Sequence, residues 1–259
     1  RGDSAWDGRC LPEDDAMIHT EHLIKDFGAF RAVDDINLDI GKGEIFGFLG
    51  ANGAGKTTAI RMIIGLVLPT SGQIIVDGLD ISKGSEKVKH KIGYMSQKFS
   101  LYPDLKAIEN LEFYAGIYQI PFRQALKNIQ PIIEQFGLQD ILKNRTEDLP
   151  MGYKQRLSLV AALVHDPPLV FLDEPTSGVD PQARREFWQV INDLAYAGKS
   201  VIVSTHFMDE AEYCHRVIIM QDGREVALGN PAELKAAHSS ATMQELFLKV
   251  LGEDNAKPE

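Results

Sequence analysis

The sequence predicts an α/β fold in which a mainly parallel sheet is covered by helices on both faces. Short apolar runs of strand length, such as Glu44–Leu49, Leu169–Leu172 and Ser200–Ser204, alternate with segments of helical spacing. Parallel strands need crossover connections of this length. The chain has 259 residues and is 44% hydrophobic, enough to bury a core of ordinary size.

The N-terminal part alternates apolar and polar positions, as half-buried strands do, and we expect an antiparallel β region there. Gly41-Lys42-Gly43 and Asp77-Gly78 are typical turns that separate the strands. A glycine-rich loop then leads into a helical pattern at 57–66, which ends near Pro69. The strands predicted in this part are residues 18–23, 33–40, 44–49 and 73–76.

From about residue 98 to 165 the pattern is helical, with no convincing strand, which indicates an inserted helical subdomain. The strand–helix alternation then returns and ends in a hairpin around Asp222-Gly223. The helices predicted after residue 98 are 108–118, 123–136, 155–165, 182–195, 207–213, 231–237 and 243–251. The strands predicted there are 169–172, 200–204, 216–221 and 224–227.

Composition restricts the classes of function. The formal net charge of -10 disfavours broad phosphate neutralisation, so no nucleic-acid partner is expected. No apolar run reaches the roughly 18 residues of a membrane span, so we expect a chain that is soluble by itself and reaches a membrane only through a partner. The two cysteines have no metal-ligand spacing and fit a reducing cytoplasm.

Gly50-Ala51-Asn52-Gly53-Ala54-Gly55-Lys56-Thr57 matches the pattern G-x-x-x-x-G-K-[ST] between a predicted strand and a predicted helix. Glycines let successive N–H groups converge on a β-phosphate, and the helix N-terminus favours the same anion. We expect Lys56 to bridge the β- and γ-phosphates and Thr57 to ligate Mg²⁺. The alternative is a glycine-rich turn that merely precedes a helix.

Two carboxylates, Asp173 and Glu174, follow the apolar run Leu169–Leu172. At the end of a buried strand, Asp173 would lie near Mg²⁺, and Glu174 would stand at the γ-phosphate as the candidate general base. The alternative is a strand that ends in a solvated acidic turn. The glycine-rich loop in the same chain favours the first interpretation.

Four further segments occur in a fixed order, and together with the two phosphate motifs they resemble the ABC ATPase family. Gln97 resembles the Q-loop glutamine, and Leu149–Arg156 resembles the signature motif. Ser177–Asp180 resembles the D-loop, and His206 at a strand end resembles the switch histidine. The resemblance covers roughly residues 18–251, and the ordered set is far more specific than any single member.

The resemblance implies an ATP- and Mg²⁺-dependent ATPase that closes head to tail with a second ATP-binding domain and serves membrane permease subunits. Glu174, His206 and Gln97 would be catalytic. Gln97 would join Thr57 and Asp173 at the metal and relay the nucleotide state to the permease through the helical insertion. The implied nucleotide-binding positions are Phe27, Val33, Asn52, Gly53, Ala54, Gly55, Lys56, Thr57, Thr58, Gly152 and Asp180.

On this interpretation, residues 17–251 form an ABC ATPase domain with the helical subdomain at about 98–165. Residues 1–16 are expected to be a linker or tail and not a signal peptide, because they lack a cationic start followed by an apolar stretch. Residues 252–259 are expected to be a C-terminal tail. The domain would work on the cytoplasmic face of the inner membrane, as the motor of an exporter.

The signature departs from the family pattern Leu-Ser-Gly-Gly-Gln. Pro150 replaces the serine and offers neither a hydroxyl nor a backbone N–H, and Met151 and Tyr153 also differ. The lost contact is worth on the order of 1.5–3 kcal/mol if nothing replaces it. Either this is a tolerated variant, or one composite site is weakened and the chain pairs with a different ATPase half.

The sequence Leu-Pro-x-Gly-x-Lys-Gln-Arg is similar to one ATPase half of the fused drug exporters served by ABC-2-type permeases. Two alternatives to a transport ATPase stay open. The first is a soluble ABC ATPase that acts on nucleic acid or ribosomes, although the stretch between the glycine-rich loop and the signature is too short for a long coiled coil. The second is a non-hydrolysing regulatory module, although Glu174 and His206 are both present.

Overall fold

The computed structural model describes residues 16–82 and 86–254. The tails predicted at 1–16 and 252–259 lie mostly outside this part, since residues 1–15 and 255–259 are not described. The described residues form two compact units, 16–82 with 206–254, and 86–205. Among the described residues, no helix combines the length and apolar character that a membrane crossing needs.

The first unit contains an antiparallel sheet in the order β2-β1-β4-β5, as the N-terminal alternation predicts. A second set of strands pairs β3 in parallel with β9 and β9 antiparallel with β10. Its elements are β1 (Ala16–Phe27), β2 (Phe30–Gly41), β3 (Ile45–Leu49), α1 (Lys56–Ile63), β4 (Ser71–Val76), β5 (Leu79–Asp80), a 3-10 helix (Met208–Tyr213), β9 (Arg216–Gln221), β10 (Arg224–Gly229), α7 (Pro231–Ala237) and α8 (Met243–Asp254).

The second unit contains three parallel strands in the order β8-β7-β6 and the helices that connect them. Between β6 and β7 the described chain is helical apart from its loops and one isolated bridge, Lys106 with Arg145. The elements are α2 (Glu86–Lys89), β6 (Ile92–Met95), α3 (Ala107–Ile117), α4 (Phe122–Gln135), two 3-10 turns (Gln139–Ile141 and Thr146–Asp148), α5 (Met151–Ala162), β7 (Leu169–Asp173), α6 (Pro181–Tyr196) and β8 (Ser200–Thr205).

Local sequence explains most element bounds. Every residue of β3, β7 and β8 is buried, as apolar runs in parallel sheets should be. Asp180 caps α6 and Asn230 caps α7, and each is followed by proline at the first helical position.

Three sequence predictions need correction. Strand β6 was not predicted, because Ile92–Met95 is only four residues long and includes a glycine. Helix α5 begins at Met151 and not at 155, because Pro150 starts the helix and residues 151–154 supply its first turn. The helix predicted at 207–213 is a 3-10 helix, Met208–Tyr213, whose side chains pack with a tighter period.

His165 gives the second unit a pH-dependent stability. Its Nε2 lies 3.1 Å from the Ile92 carbonyl oxygen and its ring stacks on Tyr118 at 3.6 Å. Burial lowers the pKa of His165 to about 4. In the unfolded chain the pKa of this histidine is near 6.5, so the unfolded chain is protonated at a higher pH than the folded one. The free energy of unfolding therefore decreases as the pH falls from about 6.5 to about 4.

We therefore expect His165→Phe, which keeps the stacked ring, to lose less stability than the wild type between pH 7 and pH 4.5. Because the ring is only partly buried, we expect a difference of about 1–2 kcal/mol. Denaturant unfolding at the two pH values measures it. The exposed His90, changed to Phe, is the comparison variant: it removes a nearby charge that lowers the pKa of His165 less than burial does, so it should stay closer to the wild type than His165→Phe. An identical pH dependence for His165→Phe would contradict the prediction.

Candidate nucleotide site

The glycine-rich loop runs from the end of β3 to the start of α1, within the first unit. Gly50, Gly53 and Gly55 have φ values of 151°, 90° and 100°. A Cβ on Gly50 would lie 2.5 Å from the Met220 carbonyl oxygen, and one on Gly55 would lie 2.6 Å from the Ala32 carbonyl oxygen. Both positions therefore require glycine for steric reasons as well as for backbone conformation.

Lys56 begins α1 and is buried, with 4% of its surface exposed. Its Nζ donates to the carbonyl oxygens of Gly50 at 2.8 Å and Ala51 at 3.0 Å, so the amine lies inside the curve of its own loop. The helix start has no side-chain cap and no acidic residue in its first turn. A cation and uncapped amides at one helix N-terminus are suited to bind an anion.

The remaining loop positions differ in exposure. Asn52 and Gly53 are exposed, whereas Thr57 and Thr58 are partly exposed. Ala54 is buried, and its carbonyl oxygen accepts from the Gly223 N–H at 3.1 Å. The turn between β9 and β10 is therefore hydrogen-bonded to the loop, a contact that the sequence pattern does not reveal.

Asp173 and Glu174 stand at the end of β7 in the second unit. Asp173 is 1% exposed, and its Oδ1 accepts from the Ser204 hydroxyl at 2.5 Å. The Glu174 N–H lies 3.0 Å from the Ser204 hydroxyl oxygen and 3.1 Å from the Ser204 carbonyl oxygen. Ser204, near the end of the neighbouring strand β8, therefore orients both carboxylate residues. Sequence reasoning did not assign it this role, although it lies two residues before His206.

The backbone of Glu174 is left-handed, with φ 51°, which is unusual for a glutamate and costs on the order of 1–3 kcal/mol. Its Oε2 accepts from Gln97 Nε2 at 3.0 Å, so the structure brings together two of the predicted catalytic residues. Such strain persists where the surroundings hold the residue in place, and it is frequent at functional sites. The acidic-turn alternative is disfavoured, because Glu174 is 7% exposed and not solvated.

The signature segment begins a helix whose first amides stay uncapped despite the substitution. Pro150 is the N-cap of α5, and its carbonyl oxygen accepts from the amides of Tyr153 and Lys154. Within the described residues, the Met151 and Gly152 amides donate to no acceptor, and the first turn has no acidic residue. What is missing relative to the family pattern is a side-chain hydroxyl at the cap.

The other predicted residues have varied surroundings. Asp180 caps α6, and hydrogen bonds from the Ala183 and Gln182 amides lower the pKa of its carboxyl. His206 follows β8, is partly exposed, and lies 4.2 Å from the Phe207 ring. Phe27 is 52% exposed at the end of β1, with Lys25 Nζ 5.0 Å from its ring centre. Val33 is fully buried, so its side chain offers no surface to a nucleotide.

Comparison with known proteins gives a consistent result. The profile of the ABC transporter family matches residues 33–177, which include the glycine-rich loop, the signature and both carboxylates. Over 242 residues the chain is 46% identical to the "Probable multidrug ABC transporter ATP-binding protein YbhF" of Escherichia coli K12, covering 92% of this chain but 42% of that protein. It is 38% identical to the linearmycin resistance ATP-binding protein LnrL of Bacillus subtilis 168, covering 92% of this chain and 76% of that protein.

Solved structures agree on the fold. One described as the ATP-binding subunit of an ABC transporter has a TM-score of 0.83 and 27% identity, over 91% of this chain and 99% of that one. The dimeric ATP-binding cassette MJ0796 bound to ADP and Pi has a TM-score of 0.76 and 27% identity, over 83% and 98%. The predicted fold class and the predicted family are confirmed. The chain belongs to the ABC transporter family, as an ATP-binding domain.

Proposed function

We propose that this chain is the ATP-hydrolysing motor of an ABC exporter. The observation that carries the proposal is Glu174, a buried and strained carboxylate held by Gln97 beside Asp173. That arrangement suits a general base for water attack on a phosphate. The titles of the relatives support export, since they name multidrug transport and linearmycin resistance.

Each residue has a role that fits its chemistry. Lys56 and the loop amides hold the β- and γ-phosphates, and Thr58 adds a hydroxyl in the same turn. Glu174 accepts the proton of the attacking water, while Gln97 and His206 position that water. Phe27, exposed on a strand end, offers a ring face to adenine.

Mg²⁺ fits the residues present, because hard cations prefer oxygen ligands. Those oxygens are the Thr57 hydroxyl, the Asp173 carboxylate and the Gln97 amide oxygen, which is free for this purpose because Nε2 donates to Glu174. When bound, Mg²⁺ neutralises charge on the phosphate oxygens. Among the described residues, no group of three or more His, Cys, Asp or Glu side chains is placed to hold a metal ion.

The partners we propose are a second ATP-binding domain and permease subunits of the ABC-2 type. The dimeric cassette that shares this fold supports the first partner. An exposed apolar surface of the second unit supports the second: Tyr102 and Phe113 pack edge to face at 4.8 Å, and Ile117 lies one turn further along α3. The chain would then act peripherally on the cytoplasmic face of the inner membrane.

The chain spans less than half the length of YbhF, which supports pairing with a second half in one longer polypeptide. The altered signature is compatible with two assemblies. One is a homodimer in which the signature with Pro150 still closes on ATP, and the other is a heterodimer in which the composite site with Pro150 is weaker. Pro150→Ser tests them, because a serine at this N-cap restores the missing hydroxyl. In the Glu174→Gln background we expect it to tighten ATP-dependent dimerisation at least about 10-fold.

The dimer fraction across a protein dilution series, measured by light scattering in saturating ATP, gives this change. Pro150→Ala is the matched control, because it removes the ring without adding a hydroxyl. Equal tightening by serine and alanine would show that the proline ring, and not the missing hydroxyl, weakens the site, whereas no tightening by serine would show that the variant is a tolerated one.

The direct test of the proposed function is steady-state release of phosphate from ATP by the wild-type chain. A rate of phosphate release that depends on the Glu174 carboxylate supports hydrolysis. A chain that binds ATP tightly but releases no phosphate would instead be the non-hydrolysing module.

A further inference from the structure

Asn110, on α3, is a polar side chain with no exposed surface. Its Oδ1 accepts from the Tyr102 N–H at 2.8 Å, and its Nδ2 donates to the Tyr102 carbonyl oxygen at 2.9 Å. Nδ2 also donates to the Thr146 hydroxyl at 2.9 Å. A buried amide that satisfies both of its polar atoms in this way holds its partners in one arrangement.

The two partners belong to segments that matter for the proposed reaction. Tyr102 lies in the loop that leaves Gln97, whose amide contacts Glu174. Thr146 is fully buried and begins the 3-10 turn that ends directly before Leu149 and Pro150. One side chain therefore connects the segment that follows the catalytic glutamine to the segment that leads into the signature helix.

The backbone strengthens this connection. The Thr146 N–H donates to the Leu105 carbonyl oxygen at 2.9 Å, and the Glu147 N–H donates to the Pro103 carbonyl oxygen at 3.0 Å. Lys154, on α5, donates from Nζ to the Glu147 carbonyl oxygen at 2.8 Å. The first turn of α5 is thus tied to the turn that Asn110 holds.

We propose that Asn110, through Thr146, is a positioning residue for the signature helix. The inference rests on the proposed function, in which the uncapped amides of Met151 and Gly152 face the ATP of the partner domain. Asn110 does not touch that ATP. It fixes the orientation from which those amides approach the γ-phosphate. It also holds the signature segment in a fixed position relative to the loop that follows Gln97.

The sharpest test is Thr146→Val, which keeps the shape and the backbone bonds and removes only the hydroxyl that accepts from Asn110 Nδ2, while the bonds of Asn110 to Tyr102 remain. We expect kcat for phosphate release to fall about 10-fold while the Kd for ATP stays within about two-fold, because the chain's own glycine-rich loop is unaffected. Thr146→Ser keeps the hydroxyl and should retain at least about half of the wild-type rate. Asn110→Ala removes this bond together with the two bonds to Tyr102, so the rate should fall at least as much, and adding Thr146→Val to it should change little further.

Mixing separates a positioning role from a structural one. In a head-to-tail dimer of the two variants, the Thr146→Val chain supplies an intact ATP site and the Glu174→Gln chain supplies an intact signature. One of the two composite sites is therefore complete. We expect the mixture, combined before ATP is added, to release phosphate at least about three-fold faster than the two variants assayed separately.

An unchanged rate for Thr146→Val would overturn the inference, and so would a lowered rate that mixing does not restore. Failure of the proposed function looks different, because the wild type itself would then release no phosphate and both proposals would fall together.

Discussion

Glu174→Gln is expected to reduce phosphate release by about 10²–10⁴-fold while ATP binding is retained. The amide keeps the size of the side chain and can still accept the hydrogen bond from Gln97, but it cannot take a proton from water. The backbone strain at φ 51° is the same for both residues, so the fold should not change. Phosphate release and nucleotide titration on the same preparation measure the two effects.

The same variant should reveal the assembly. Because the variant no longer consumes bound ATP, a chain that pairs with itself should double its mass in solution with ATP and stay monomeric with ADP, whereas a chain that needs a different ATPase half should stay monomeric with both. Glu134→Gln, which changes an exposed glutamate of the same unit, is the matched control and should behave as the wild type. A Glu174→Gln variant that hydrolyses ATP at more than about a tenth of the wild-type rate would exclude Glu174 as the general base.

Lys56→Met should weaken ATP binding by about 100-fold or more. The change removes the cation that Gly50 and Ala51 hold inside the loop, and with it the charge-assisted contact to the phosphates. Losing the charge-assisted hydrogen bonds from Lys56 to two phosphates corresponds to about 3 kcal/mol of binding free energy. Because each 1.4 kcal/mol changes the Kd by a factor of ten, this corresponds to about 100-fold. Titration with a fluorescent ATP analogue measures the Kd.

Lys42→Met, on the exposed turn before β3, is the control for loss of one positive charge and should bind ATP as the wild type does. A thermal melt distinguishes lost binding from lost folding. Because methionine keeps most of the apolar stem, the melting temperature of Lys56→Met without nucleotide should stay close to that of the wild type. ATP binding within about three-fold of the wild type would contradict the assignment of the phosphate site to this loop.

Much of the fold was predictable because its signals are local. Strand β3, the glycine-rich loop and helix α1 follow one another within about twenty residues, and each has its own pattern. The run Leu169–Leu172 before two carboxylates was equally clear. Elements with weak local signals were misread: β6 is short, and the 3-10 helix Met208–Tyr213 has the composition of an ordinary helix.

Residue types at fixed spacings are therefore enough to identify the family, the phosphate-binding loop and the candidate catalytic groups. The folded chain was needed to show that Gln97 contacts Glu174, that Ser204 orients two carboxylate residues, and that Asn110 joins Tyr102 to Thr146. Those partners lie up to 77 residues apart in the chain. Hydrogen bonds between distant residues depend on how strands and helices pack, and no periodicity within a single segment encodes that packing.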